Sequence, residues 1–356
     1  MTRPYISFVT FTRNDDYAGG LTKLRWGLTY LAEQCDGAGL DAEAVIVEWN
    51  PPIERPPLAE ALSGLPPSTS LSIRVITVPS SAHRTYRHAQ LRPIHGAVAA
   101  NVGLRRARGD FALIKVADAY YADALVAKLA RRTLDPRRLY RAVRHDVAAS
   151  VAQFLGQPRP QFLARCRQNI ELSNEHLSQP WVPFRLPNLF TNASGDFQLL
   201  SRERWHALRG YWETADVLSF EVDSMLSYSA FAAGLIEELI ANDPVLYKIA
   251  HSRSHSARVT GGETPFSKFM LSAEQFMNRR RHSSLFTFGM RAIFNYPPKI
   301  YGGVRKQVYE RSLVRFKLLA AMPWLTRMKS ADWGLAQQSL RESTLNRGTW
   351  DCAATS

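Results

Sequence analysis

Cysteine is scarce: Cys35, Cys166 and Cys352 are the only three in 356 residues. Spaced so far apart, they make neither a disulfide framework nor the paired spacing of a zinc site. That points to a protein kept in a reducing cytoplasm. Long apolar runs are missing as well. No stretch approaches the roughly 18 residues that mark a membrane-spanning helix. Residues 1–15, MTRPYISFVTFTRND, lack the charged, apolar and small-residue zones of a signal peptide. No internal repeat is visible. The formal net charge is +14, yet no nucleic-acid recognition motif accompanies it. Nucleic acid is therefore not the expected partner, and anionic small ligands or an anionic membrane surface remain.

What is present is an ordinary globular composition, 46% hydrophobic and 21% charged. The length allows two domains, or one large domain with an extension. Residues 5–12 read as a β-branched strand, and Gly19-Gly20 breaks the chain before a helical face of Leu21, Leu24, Leu28 and Leu31. Residues 44–47 form a short buried strand ending at Glu48-Trp49-Asn50 and stopped by Pro51-Pro52. Residues 71–78 form a third strand. Strand, helix, strand, loop, strand, helix, strand is the order of a parallel sheet with crossovers.

The most informative stretch is residues 101–123, NVGLRRARGDFALIKVADAYYAD. Ala97, Ala100 and Leu104 recur at helical spacing, and Arg105, Arg106 and Arg108 load the last turn with cations that suit the helix dipole. Gly109 sits where a C-terminal stop is wanted, and residues 111–116 are an apolar run of strand length. Asp118 follows at the carboxyl end of that strand, where open α/β sheets place their ligands. It reads either as a loop-capping aspartate or as a carboxylate holding a divalent cation against a phosphate. Residues 151–189 are polar and arginine-bearing, and read as an insertion covering a site. A strand over 191–200, a short helix over 202–208 and a longer helix over 220–234 follow. Beyond them, residues 266–325 interleave Phe286, Tyr296, Tyr309 and Trp324 with Arg291, Lys306 and Arg315. That tail either lies on an anionic bilayer or packs with its cations outward.

In this order the elements resemble the family-2-like inverting glycosyltransferases of GT-A fold, in the bacterial branch associated with surface polysaccharides. The resemblance spans about the first 250 residues. It rests on Thr10-Phe11-Thr12-Arg13-Asn14 after the first strand, Glu48 after the second, and Asn101-Val102-Gly103 with Arg105 to Gly109. It also rests on Gly195-Asp196-Phe197 with Arg202, Trp205 and Gly210, on Glu221-Val222-Asp223, on His251, and on Asp332-Trp333-Gly334-Leu335. Two departures stand out. Val116 occupies the place of the first acid of the family's Asp-x-Asp, and Ala100 the place of a common basic residue.

The resemblance implies an α/β fold, a mostly parallel sheet flanked by helices, with a catalytic domain over residues 1–255. Residues 150–190 would be an acceptor-facing insertion, and 256–356 a mainly helical, basic-aromatic extension. It implies transfer of a sugar from a UDP- or GDP-sugar to a glycan or lipid-linked acceptor. Asp223 would be the base, with Glu221 beside it, and Asp118 with His251 would hold Mn²⁺ or Mg²⁺. Thr10, Thr12, Arg13, Glu48, Asn101, Arg105, Ala117 and Asp118 would line the nucleotide sugar, and Gly195, Asp196 and Trp205 the acceptor side. The expected location is cytoplasmic, on the inner face of the membrane. Alternatives are a nucleotidyltransferase of the same fold, a non-catalytic sugar-nucleotide or polysaccharide-binding subunit motivated by Val116, and a nucleic-acid binder. Residue by residue, Asp223 reads equally as a complement to a positive helix end, and Trp205 as core.

Overall fold

The computed structural model describes residues 3–15, 17–174, 189–190, 194–217, 222–240, 246–250, 329–345 and 350–351. The first half alternates strand and helix: β1 (Ile6–Thr12), α1 (Gly20–Ala38), β2 (Ala42–Trp49), the single turn α2 (Leu58–Ala61), β3 (Leu71–Val78), α3 (Ser80–His83), α4 (Gly96–Arg106) and β4 (Phe111–Lys115). β4, β1, β2 and β3 lie side by side and parallel. Covered on both faces, such strands read as continuous apolar runs, and all eight residues of β2 are buried. Leu24, Leu28 and Leu31 of α1 pack on one face with Ile6 and Phe8, while Ala97, Val98 and Leu104 of α4 pack on the other with Val9 and Val47.

The second half is β5 (Ala119–Tyr121), α5 (Asp123–Ala130), β6 (Arg138–Ala142), β7 (Arg144–Val147), α6 (Arg159–Gln168), β8 (Ile170–Asn174), β9 (Phe197–Ser201), α7 (Arg202–Ala207), α8 (Val222–Ala232), β10 (Ile236–Ile240), β11 (Leu246–Ile249), β12 (Arg341–Leu345) and β13 (Trp350–Asp351). Among the described residues, nine strands form the main sheet in the order β10-β6-β9-β4-β1-β2-β3-β12-β13, and β5-β11-β7-β8 form a second. The expected α/β class, a large central sheet flanked by helices, is the one adopted.

Four details differ from the sequence reading. The sheet is mixed: β9 runs antiparallel to β4 and β6, and β12 antiparallel to β3. Up to Asn174 the supposed insertion is part of the fold, because Val151, Phe162 and Cys166 are buried with Tyr30, Tyr120 and Tyr247. In α6 only Phe162 and Cys166, one helical turn apart, are buried, too short a pattern among prolines and arginines to stand out in the sequence. Gly109 is not a left-handed helix stop: α4 ends at an extended Ala107. Its requirement is proximity, since an added Cβ would lie 2.7 Å from Ser7 N. Finally, the C-terminal region is not wholly a separate unit, for β12 extends the main sheet and Trp333 and Leu335 pack against α4. The basic-aromatic stretch 266–325 lies outside the described residues. Among those described, no helix is long and apolar enough to cross a membrane.

Candidate active site

The carboxyl ends of β1 and β4 meet beneath α1. Side chains alternate along a strand, so Thr10 follows Ile6 and Phe8 onto the α1 face, and Lys115 follows Phe111 and Leu113. The parallel register pairs Val9 with Ile114, which makes Thr10 and Lys115 neighbours one step further on. Thr10 is 4% exposed and Asn14 3%. Among the described residues, Thr10 Oγ1 and Asn14 Oδ1 have no hydrogen-bond partner, although Asn14 Nδ2 donates to Pro56 O at 2.8 Å. Buried polar atoms are rarely left so. Arg13 is tied to the end of β2, with Nε donating to Asn50 O at 2.8 Å and Nη1 to Asp15 at 3.3 Å. Among the described residues, Thr12 makes only a 3.5 Å contact from Oγ1 to Arg13 O.

After Lys115 the chain turns through Val116, Ala117 and Asp118 into β5. β11 pairs with β5 so that Lys248 faces Ala119, and Ile249 N–H donates to Asp118 O at 3.4 Å. Lys248 Nζ donates to Asp196 Oδ1 at 3.0 Å. Arg144, on the neighbouring strand β7, binds both Asp196 and Asp146, the latter at 2.9 Å. Burial opposes the charge on Lys248, but the fields of Asp196 and then Asp118 outweigh it and hold the ammonium above its ordinary pKa. Lys115 differs: burial pushes it down to about 8, against the opposing field of Asp118.

On the far side of this cluster, the turn at Ser194–Asp196 meets the start of α8. Gly195 N–H donates to Asp223 Oδ2 at 2.7 Å. Gln198, fully buried on β9, fixes the same helix end by donating to Asp223 O at 2.8 Å and Ser227 Oγ at 3.2 Å, and accepts from Tyr211 OH at 2.6 Å. Adjacent residues Gly195 and Asp196 therefore connect the Asp223 carboxylate to Lys248, and Lys248 stands beside Asp118. Beneath them lies buried Arg141, which donates to Phe197 O. Its pKa is lowered by burial and opposed by Glu237 and then Asp223.

Other expected site residues serve the fold. Glu48 is buried and accepts from Leu58 N–H at 2.8 Å and Thr77 Oγ1 at 3.1 Å, pinning the Pro-rich loop after β2. Burial raises its pKa. Asn101 exchanges hydrogen bonds with the Tyr211 backbone at 3.0 and 2.7 Å and donates to Glu213 at 2.8 Å. Arg105 donates to Ala331 O and Trp333 O and lies over the Trp333 ring. Trp205 is fully buried, with Nε1 donating to Ala112 O at 2.8 Å. Glu221 and His251 lie outside the described residues.

Sequence reasoning passed over Lys115, Arg141, Arg144 and Lys248. A signal existed in residues 140–147, YRAVRHDV, where charges interrupt an apolar strand pattern. Among the described residues, no three His, Cys, Asp or Glu side chains converge on a cation site. Of the expected pair, Asp118 lies in the fields of Lys115 and Lys248, whose positive charges oppose a cation at that point, and His251 lies outside the described residues, so the described residues alone do not make the expected Mn²⁺ or Mg²⁺ site.

No family model matches the chain, and no curated protein does. Among solved structures, residues 1–349 of S. aureus TarS are 13% identical, with 90% of this chain and 82% of that one covered at a TM-score of 0.45. Its complex with UDP-GlcNAc gives 14% identity, the same coverage and a TM-score of 0.44. A Drosophila β1,4-galactosyltransferase 7 mutant bound to manganese, UDP-Gal and xylobiose gives 11% identity, 70% and 73% coverage and a TM-score of 0.34. Likeness at this level carries no function across.

Proposed function

We propose that this protein is an inverting glycosyltransferase that moves a sugar from a nucleoside diphosphate donor to a hydroxyl of a glycan or lipid-linked acceptor. The observation that carries the reading is the link from Asp223 through Gly195-Asp196 to Lys248 and Asp118, at the strand ends where such sheets bind ligands. It sets a carboxylate opposite a basic rim, the arrangement that displacement at an anomeric carbon demands. The acceptor hydroxyl gives its proton to Asp223 as its oxygen bonds to the anomeric carbon. The bond from that carbon to the phosphate oxygen breaks, and the nucleoside diphosphate leaves with the electron pair. General-base help of this kind is worth about 10²–10⁴-fold, and charge on the departing diphosphate is met by fixed cations.

UDP- and GDP-sugars are the donors to try, and the reading places the enzyme at the inner face of the cytoplasmic membrane. The test incubates the full chain with a panel of UDP-, GDP- and CMP-sugars and follows nucleotide release, which Asp223→Asn should slow by about 10²–10⁴-fold. Val116, where an acid is expected, favours a second reading as a sugar-nucleotide-binding subunit. Tight binding of a sugar nucleotide with no release under any condition would select that reading.

A further inference from the structure

Among the described residues, Lys115 is a buried lysine with few partners. It is 5% exposed at the end of β4, under a point where α1 has glycine. A Cβ on Gly27 would lie 3.7 Å from Lys115 Nζ and 3.5 Å from Ala117 O, which places the ammonium directly against α1. An ammonium offers three donors. Among the described residues its one hydrogen-bond acceptor is Val116 O at 3.0 Å, and the Tyr121 ring stands 5.7 Å away. Beside it, Thr10 Oγ1 is buried with no partner among the described residues. A methionine would fill the same space without the cost of a poorly bonded interior charge. Two under-satisfied polar groups, adjacent at the carboxyl ends of adjacent parallel strands, describe a seat for an anion.

We propose that Lys115, with Thr10, receives the diphosphate of the donor and so neutralises the leaving group where a divalent cation was expected. This rests on the glycosyltransferase reading for the identity of the ligand. The seat itself fits any diphosphate. Asp118 then orients the ammonium rather than holding a metal, and Val116 at the missing acid's position is consistent, because no second carboxylate is required.

The experiment measures binding of UDP and of inorganic pyrophosphate to the full chain by calorimetry in EDTA, alongside the thermal midpoint of each unliganded variant. Both probes should bind the parent without metal. Lys115→Met should weaken both at least tenfold while leaving the midpoint unchanged or higher, a combination that a purely structural lysine would not give. Thr10→Val, nearly isosteric, should weaken both several-fold and serves if Lys115→Met does not fold. Parental affinity in both variants, or binding that appears only when Mn²⁺ is added, overturns the proposal. Turnover of a sugar nucleotide that requires Mn²⁺ would overturn it while leaving the glycosyltransferase reading intact. Lys115-dependent pyrophosphate binding with no sugar-nucleotide turnover would do the reverse.

Discussion

The C-terminal segment packed on α4 and the strand ends beneath α1 treat polar side chains differently. Against α4, Asn101, Glu213, Lys329 and the segment from Trp333 form a closed lock. Asn101 bonds Tyr211 and Glu213, Glu213 accepts from Gly334 N–H at 2.7 Å, and Lys329 donates to Leu208 O and Gly210 O. Arg106 adds bonds to Gly334 O and Leu335 O at 2.7 and 2.8 Å. At the strand ends beneath α1, among the described residues, Thr10 Oγ1 and Asn14 Oδ1 lack partners and Lys115 has one acceptor. Polar groups that the fold satisfies hold the C-terminal segment in place. Those it leaves short of partners are available to a ligand.

Substitutions in the two regions should therefore separate activity from stability. The largest effect is expected at the catalytic carboxylate: Asp223→Asn keeps the Gly195 contact but not the basicity, and kcat should fall by about 10²–10⁴-fold with little change in melting temperature. An unchanged kcat would remove Asp223 from the mechanism. In the other region, Asn101→Ala strands the buried Tyr211 N–H and should cost about 2–3 kcal/mol in urea unfolding, with UDP affinity of the folded protein preserved. Lost UDP affinity there would restore Asn101 to the nucleotide site.

Much of the architecture was legible because it rests on period and punctuation. The alternation through β1, α1, β2, β3, α4 and β4 follows directly from apolar spacing, as do α7 and α8. The site was legible only in part. Family-like motifs name residue types, and Asn101, Arg105 and Glu48 carry the right types but spend them on backbone groups of Tyr211, Trp333 and Leu58. Which partner a polar residue meets depends on tertiary contacts, 10 residues away for Glu48 and 110 and 228 for Asn101 and Arg105. Lys115 and Lys248 were passed over for the complementary reason, since a single lysine at or next to the end of a short strand looks like an ordinary solvated end.

A gentler test uses pH. Burial lowers Lys329 to about 7, opposed by Glu213, so between about pH 7 and the ordinary lysine range the unfolded chain binds the extra proton. Stability contributed at this position then rises with pH across that window. Lys115 has the same sign, with its window opening near 8. Urea midpoints taken from pH 7 to 9.5 should climb, and Lys329→Met should flatten part of the climb; a parallel curve in that variant would show that the group does not titrate there.

Hydrogen exchange read with and without UDP compares the two regions most directly. The account predicts slower exchange on ligand addition in residues 10–15, 115–119 and 195–198, with residues 100–106 and 329–335 unchanged. Protection confined to the α4 lock, with the strand-end segments unaffected, would contradict it.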